Sequence, residues 1–468
     1  MAHHAKPARG GEVLARELHM RIGWDDIESA AAGPVGRIVS VCGFPIAAPM
    51  QRHADRFLLV REPPCCPGCA PRGAGLSIAV EAAAALPVAQ GALRLTGRWD
   101  ISGGAWRLRD ARLQEPAGWA GITRRRALMG GPLICLPAAR PAAAAAVLAA
   151  TTPIDVHSHA GGIANPARVQ TGRALGPVAE PMRKGGMAVA CLAVVSDGPT
   201  HKVMPDGRLH PFRDPEPNEL YSYARVAFGR LHGMLRDQGL RIIVGAAGLR
   251  GDGPGAIVSA EGADFLEGRI DRLDEAYEKW SLRHLQLTHY RVNELGDIQT
   301  EPAVHGGLTD FGAEVVRRCN RLGIVVDVAH GSFDLVKRAV SVTAKPLVLS
   351  HTSLTTRPKP FTRLVVPEHA KLVASTGGVI GVWPPESIYP TLDAMAAGMA
   401  RMADAAGIDH VALGSDMRGL VGASVFPDYD RLPALADALM SAGFGAADAG
   451  KVLGGNYARV FAACVGAG

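Results

Sequence analysis

Two histidines one residue apart, His157 and His159, lie in the stretch PIDVHSHAGG, at the end of a short apolar run that begins at Pro153. Imidazole is the commonest metal ligand among side chains and a ready proton carrier near neutral pH. Side chains on a strand alternate faces with period two, so these rings point the same way and can reach one ion. Five further apolar runs end on a residue able to bind a metal or move a proton. AIVSAEG carries Glu261, RHLQLTH His289, GIVVDVAH His330, PLVLSHTS His351 and HVALGSD Asp416. Each has an ordinary explanation when taken alone. A lone strand-end histidine is usually a solvated one. Glu261 suits the positive end of a following helix, and Asp416 suits a helix or turn cap. Seven such residues at the ends of apolar runs are improbable as coincidence, so they are expected to form one site.

The ligand types narrow the chemistry. Imidazole with carboxylate suits zinc, and less selectively manganese, iron or cobalt. The four histidines 157, 159, 330 and 351 with two carboxylates exceed what one tetrahedral ion needs. Two ions sharing Glu261 is the expected arrangement. A pair of ions about 3.5–4 Å apart can bridge a water and bring its pKa toward neutrality, which makes a hydroxide able to attack a carbonyl or phosphoryl centre.

Such residues must be brought together by the elements that carry them. Downstream of Ala150, eight apolar runs alternate with helical stretches such as ELYSYARVAFGRLHGMLRDQ, LEGRIDRLDEAYEKW and TDFGAEVVRRCNRL. Runs apolar on both faces suit a parallel sheet covered by helices. Eight alternations predict an α/β fold, a TIM-like (β/α)8 barrel over 153–465, whose strand ends share one rim. A doubly wound sheet would need a glycine-rich phosphate loop after the first strand, and HAGGIANP lacks the GxGxxG spacing. Upstream, residues 1–120 hold short β-type runs between Gly/Pro-rich turns. They predict a small all-β domain, similar to an OB-type barrel. One of its turns, PPCCPGC, has Cys66 and Cys69 at CxxC spacing. No second pair completes a zinc site, unless Cys65 and Cys42 come close.

Composition excludes several classes. Of 468 residues, 48% are hydrophobic and 20% charged, which argues against wholesale disorder. The net charge of +6 comes from scattered arginines without an aromatic-interleaved basic strip, so no nucleic-acid partner is expected. The eight cysteines do not form a disulfide framework. Residues 121–152 hold an arginine cluster followed by an Ala/Pro-rich stretch, similar to a twin-arginine export signal but placed internally. Pro137, Arg140 and Pro141 interrupt it, against a membrane span. It is either a linker or a sign that the upstream region is a separate frame fused to an exported protein. A periplasmic or membrane-associated location follows if it acts as a signal, and a cytoplasmic one otherwise.

Residues from about 153 to 460 resemble the membrane dipeptidases (renal dipeptidase-like, peptidase family M19), a branch of the amidohydrolase barrels. The likeness runs through MRKGGM, SAEG, LTHYRVNELGD, GLTDFGAEVVRRCNRLGIVVDVAH, SHTSL and VALGSD. The resemblance implies hydrolysis of a small dipeptide substrate on two zinc ions bridged by Glu261. His157 and residue 159 would hold one ion, and His330 and His351 the other. His289 would contact the substrate carbonyl, and Asp416 would transfer the proton. An arginine after the sixth strand, Arg363 with Arg357 as the alternative, would bind the substrate carboxylate. A homodimer is also an expected assembly. The family usually has His-x-Asp on its first strand, where this chain has His157-Ser158-His159, so the site carries one less negative charge. Another amidohydrolase-type activity (an N-acyl amino acid deacylase, lactonase or phosphoester hydrolase) or a non-catalytic metal-containing module would use the same ligands.

Overall fold

The computed structural model describes residues 140–466 except 358, and upstream the strands at 20–21, 38–46, 53–60, 77–87, 93–102 and 105–113. The chain divides into two compact units, Met1–Ile134 and Cys135–Gly468.

In the first unit five strands close on themselves. Ile38–Ile46 pairs with His53–Val60, which pairs with Ser77–Pro87. That strand pairs with Ala105–Leu113, then Leu93–Ser102 follows and returns to Ile38–Ile46. All these pairings are antiparallel except that between Ser77–Pro87 and Ala105–Leu113. The expected all-β domain is therefore present as a small barrel. Phe57, Leu59, Ile78, Val80, Leu95, Trp99 and Leu108 are buried in it, with alternate positions such as Arg56 and Leu58 exposed. The Cys65, Cys66 and Cys69 cluster and the Cys42 side chain lie outside the described residues.

The second unit is the expected (β/α)8 barrel. Its strands are β1 (Ile154–Ser158), β2 (Val189–Val195), β3 (Gly255–Glu261), β4 (Leu282–Gln286), β5 (Val325–Asp327), β6 (Leu347–Thr352), β7 (Val379–Val382) and β8 (Val411–Leu413). All are parallel, each pairs with the next in sequence, and β8 closes on β1. Each of the eight apolar runs of the sequence supplies one strand. Ile154, Val189, Ile257, Val325, Val348, Val379 and Ala412, from seven strands, form one apolar cluster with Tyr457, Val460 and Phe461 of the last helix, Asn456–Val465. Residues from seven strands can meet only inside the barrel, so this cluster fills its interior and leaves the opposite rim for the polar strand ends.

The helices follow from local sequence. Thr309 and Ser332 accept backbone N–H bonds at the starts of Asp310–Leu322 and Phe333–Val342, the usual N-cap arrangement. Leu266–Trp280, expected as one helix, begins only at Asp271. Asp264–Leu266 forms a 3-10 turn and Glu267 takes φ +45°, which breaks the helix before it starts. Arg140–Ala150, inside the stretch expected as linker or signal, is a helix whose Ala144 and Val147 are buried in the core of the barrel unit. Among the described residues no helix is long and apolar enough to cross a membrane.

Candidate metal centre

Glu261 ends β3 and sits at the middle of the rim, 2% exposed. Five imidazole Nε2 atoms surround its carboxylate. Those of His157, His330 and His351 lie 3.4, 3.3 and 3.4 Å from Oε1. Those of His159 and His289 lie 3.0 and 3.2 Å from Oε2. His157 and His159 do point the same way, with their Nε2 atoms 3.1 Å apart. His330 and His351 are matched likewise at 3.0 Å. Four groups among the described residues could hold an ion; His157–His159–Glu261 and Glu261–His330–His351 share one carboxylate, and the others are His157–His351–Asp416 and Asp197–His201–His289. Asp416 adds Oδ1 at 3.5 Å from His159 Nε2.

The strands reach this geometry by departing from regular form at their ends. Register irregularities fall between Asp155 and Ser158, Val258 and Ser259, and Leu349 and Thr352, beside the ligands of β1, β3 and β6. Such bulges re-aim side chains next to sites. His330 and Asp416, each three residues past its strand, adopt left-handed backbone at φ +66° and +46°. For residues with a Cβ this costs of order 1–3 kcal/mol each and persists only where surrounding contacts enforce it. At β8 they do. Asp416 N–H donates to His157 O at 3.0 Å, and His159 N–H donates to Met417 O at 2.9 Å. Gly419 closes the turn, where any Cβ would lie 2.1 Å from Asp416 Oδ1.

The donor set fits cations. His159 Nδ1 lies 2.8 Å from Ala193 O. A carbonyl only accepts, so Nδ1 carries the hydrogen and a neutral ring presents a bare lone pair at Nε2. That lone pair faces a carboxylate oxygen and a second imidazole nitrogen. Lone pairs gathered at this distance repel unless something positive lies between them. Ligands about 2.0–2.1 Å from a tetrahedral zinc stand roughly 3.4 Å apart, close to the spacings seen. Electrostatics agree. Burial would push the Glu261 carboxyl up, but the imidazoles outweigh it and hold the group well below the usual carboxylate range. Burial, helped by the Arg363 charge, holds His330 and His351 well below the usual imidazole value, so they offer lone pairs. Burial disfavours a charged His157 as well, yet Glu261 prevails and lifts it to about 9: without cations the cluster takes up a proton in their place.

Around the centre lies a cavity of about 570 Å³, lined by His159, Glu261, His289, Tyr290, His330, Arg363, Trp383 and Asp416 among others. Arg363 is 9% exposed and opens onto it. Its Nη1 donates to Gln299 Oε1 at 2.7 Å, its Nη2 to His351 O at 3.2 Å, and its guanidinium lies 5.5 Å from the Trp383 ring centroid. Arg357, the alternative, is exposed and does not line the cavity. All seven rim residues expected from sequence, and Arg363, thus meet in one place.

Several supporting residues escaped the sequence reading. Asp197, fully buried just past β2, accepts from His289 Nδ1 at 2.7 Å and from Tyr290 N–H at 3.1 Å. Its position at the end of the second apolar run was the available signal. Asp155 accepts from Ser415 N–H at 2.9 Å and Ser415 Oγ at 2.5 Å, locking β1 to the end of β8. Asp327 accepts from Ala329 N–H at 2.9 Å and Ser350 N–H at 3.0 Å, tying β5 to β6 below His330 and His351. Asp297 accepts from the backbone N–H groups of Val304, His305 and Gly307, which shapes the loop that presents Gln299 to Arg363.

Residues 240–465 match the model of the membrane dipeptidase family, peptidase family M19. Over these residues the barrel is similar to that family. The matched stretch contains Glu261, His289, His330, His351, Arg363 and Asp416, while His157 and His159 precede it. The chain is 32% identical over 222 residues to dipeptidase aclJ of Aspergillus oryzae, covering 44% of this chain and 51% of that one. It is 29% identical over 219 residues to dipeptidase verJ of Clonostachys rogersoniana, covering 44% and 54%. The chain thus spans about half the length of the curated relatives it matches. Among solved structures, the probable dipeptidase PvdM of Pseudomonas aeruginosa superposes with a TM-score of 0.60 at 18% identity, over 71% of this chain and all of that one. A metallopeptidase of Rhodobacter sphaeroides, solved with a phosphinate mimic of L-Ala-D-Ala, gives 0.56 at 23% identity, over 67% and 99%. At these identities the structures establish the fold. The likeness to that metallopeptidase family implies a metal cofactor.

Proposed function

We propose that the barrel is a zinc-dependent dipeptidase working with two ions per chain. The observation that carries this is the ring of five imidazole nitrogens 3.0–3.4 Å from the single carboxylate of Glu261. His157 and His159 would hold one ion, His330 and His351 the other, and Glu261 both. When bound, the ions would supply Lewis acidity to a carbonyl and a water acidic enough to attack it. The protein's own groups do the rest. Asp416, whose pKa burial raises, takes the water's proton and passes it to the leaving amine. His289, held at Nδ1 by Asp197, presents Nε2 to the oxygen on which negative charge develops. Arg363 offers its remaining N–H groups to the substrate's terminal carboxylate, which fixes the scissile bond over the centre. His159 in place of the family's usual aspartate leaves one less negative charge, and a deacylase or lactonase would use the same groups.

Metal analysis of purified protein, paired with hydrolysis of dipeptides including some with a C-terminal D-residue, tests the reading. Two zinc ions per chain and cleavage that depends on the free carboxylate are expected. Two ions with turnover only of N-acyl amino acids or lactones would replace it. Arg363→Ala should raise KM for dipeptides about 10- to 100-fold, the loss of a charge-assisted contact, with a smaller fall in kcat. Steady-state kinetics check this, and an unchanged KM would remove Arg363 from substrate binding. Asp197→Asn keeps one acceptor but turns an NH2 toward the N–H of His289 or Tyr290. It should lower kcat about 10- to 100-fold, as loss of an outer-shell partner does, with the metal content kept. If instead the metal content falls with the activity, Asp197 supports the ions and not His289.

A further inference from the structure

The charge of the cavity is lopsided. Its lining includes four cations, Lys202, Arg208, Arg363 and Arg418, against two carboxylates, Glu261 and Asp416, both at the metal centre. Cations elsewhere in the barrel are commonly paired, as Arg272 is with Glu267, Arg291 with Asp264 and Arg318 with Asp274. Among the described residues, none of the four lining cations forms an ion pair with an acidic side chain. Arg363 is buried with its Nε unpartnered. The other three are exposed at the rim.

Their placement is built into the backbone. Lys202 and Arg208 belong to a hairpin formed by His201–Val203 and Leu209–Pro211. Lys202 Nζ sits 4.5 Å over the Phe212 ring, and Arg208 donates to Phe361 O. Arg418 is held in left-handed backbone at φ +65°, two residues past Asp416. Asp206 accepts from the Arg208 backbone N–H and pairs with His210, but it does not line the cavity.

A dipeptide with neutral side chains brings one carboxylate, and Arg363 accounts for it. Three unpaired cations then face the same cavity, where like charges raise the potential and favour any further negative group. We propose that the preferred substrates are dipeptides with a second negative charge, an acidic side chain, and that Lys202, Arg208 and Arg418 determine this specificity. The inference rests on the dipeptidase reading above.

Two isosteric pairs test it on the full zinc-loaded chain: Ala-Glu against Ala-Gln, and Glu-Ala against Gln-Ala. In at least one pair kcat/KM for the acid should exceed that for the amide about tenfold, mostly through KM, the effect of one charge-assisted contact. The ratio should shrink as salt is raised. In the double variant Lys202→Met/Arg208→Met the ratio should fall toward one. The inference is overturned if the amides are hydrolysed as well as the acids, or if the ratio survives the double variant. Hydrolysis of none of the four would sink the dipeptidase reading and this inference with it.

Discussion

Asp416→Asn should bind two ions as the unaltered protein does and lose turnover by about 10²- to 10⁴-fold, the range that a positioned proton-transfer group contributes. Asp416 stands at the edge of the ligand cluster. Its nearest contact there is His159 Nε2 at 3.5 Å, while Glu261 supplies the carboxylate at the centre of both ion sets. Asparagine has nearly the same shape and fits the turn closed by Gly419, where no Cβ is tolerated beside Asp416 Oδ1. Asparagine also tolerates left-handed backbone, so the φ of +46° is kept. What the variant loses is the ability to take up a proton. Zinc content and kcat on a cleaved dipeptide, measured on the same sample, separate the two roles. Full turnover would show that another group carries the proton. A fall to one ion would make Asp416 a ligand, as the grouping of His157, His351 and Asp416 allows.

The legible and illegible parts of this site differ for a physical reason. Although β1 (IDVHS) and β4 (LRHLQ) carry buried polar residues, most of the eight strands are predominantly apolar and left runs that length and spacing could find. Their chemical residues come at or just past the ends of those runs, where an interior-filling residue would otherwise stand. His157, Glu261 and His351 were therefore visible as exceptions to a pattern. Asp155 and Asp327 were not, although they lie within the same runs, because a buried carboxylate that accepts backbone N–H groups leaves no mark beyond its own letter. The left-handed turns at His330 and Asp416 were also invisible, since neither residue is glycine, and at Asp416 the strain is imposed by distant pairing of β8 with β1. The hairpin carrying Lys202 and Arg208 is too short to show alternation, and its rim position depends on a cavity that exists only once the barrel closes. The Asp264–Leu266 turn defeated helical periodicity because Glu267 departs from helical backbone, and Gly268, next to it at φ +75°, was the available signal.

The other large effect is expected at Glu261. Glu261→Gln should reduce bound zinc from two ions per chain to below one and take turnover to background. Glutamine keeps the volume and can still receive one ion weakly through its carbonyl, but it cannot offer an anionic oxygen to each side. The five imidazoles would then have no negative charge at their centre, and His157 would lose the main partner that keeps it charged in the metal-free protein. The same loss should appear as stability. An ion that binds only the folded chain adds about 2.7 kcal/mol at a free concentration 100 times its Kd. For a unit of this size 1 kcal/mol shifts Tm by about 2–4 °C, so zinc should raise the Tm of the unaltered protein by roughly 5–10 °C. In Glu261→Gln that rise should vanish. Paired thermal scans with and without zinc, alongside metal analysis, check both halves. A variant that still holds two ions and still gains the full Tm increment would mean that the carboxylate is not shared. The two histidine pairs would then each have to find their remaining ligands elsewhere on the rim, and Asp416 would be the nearest carboxylate left to supply one.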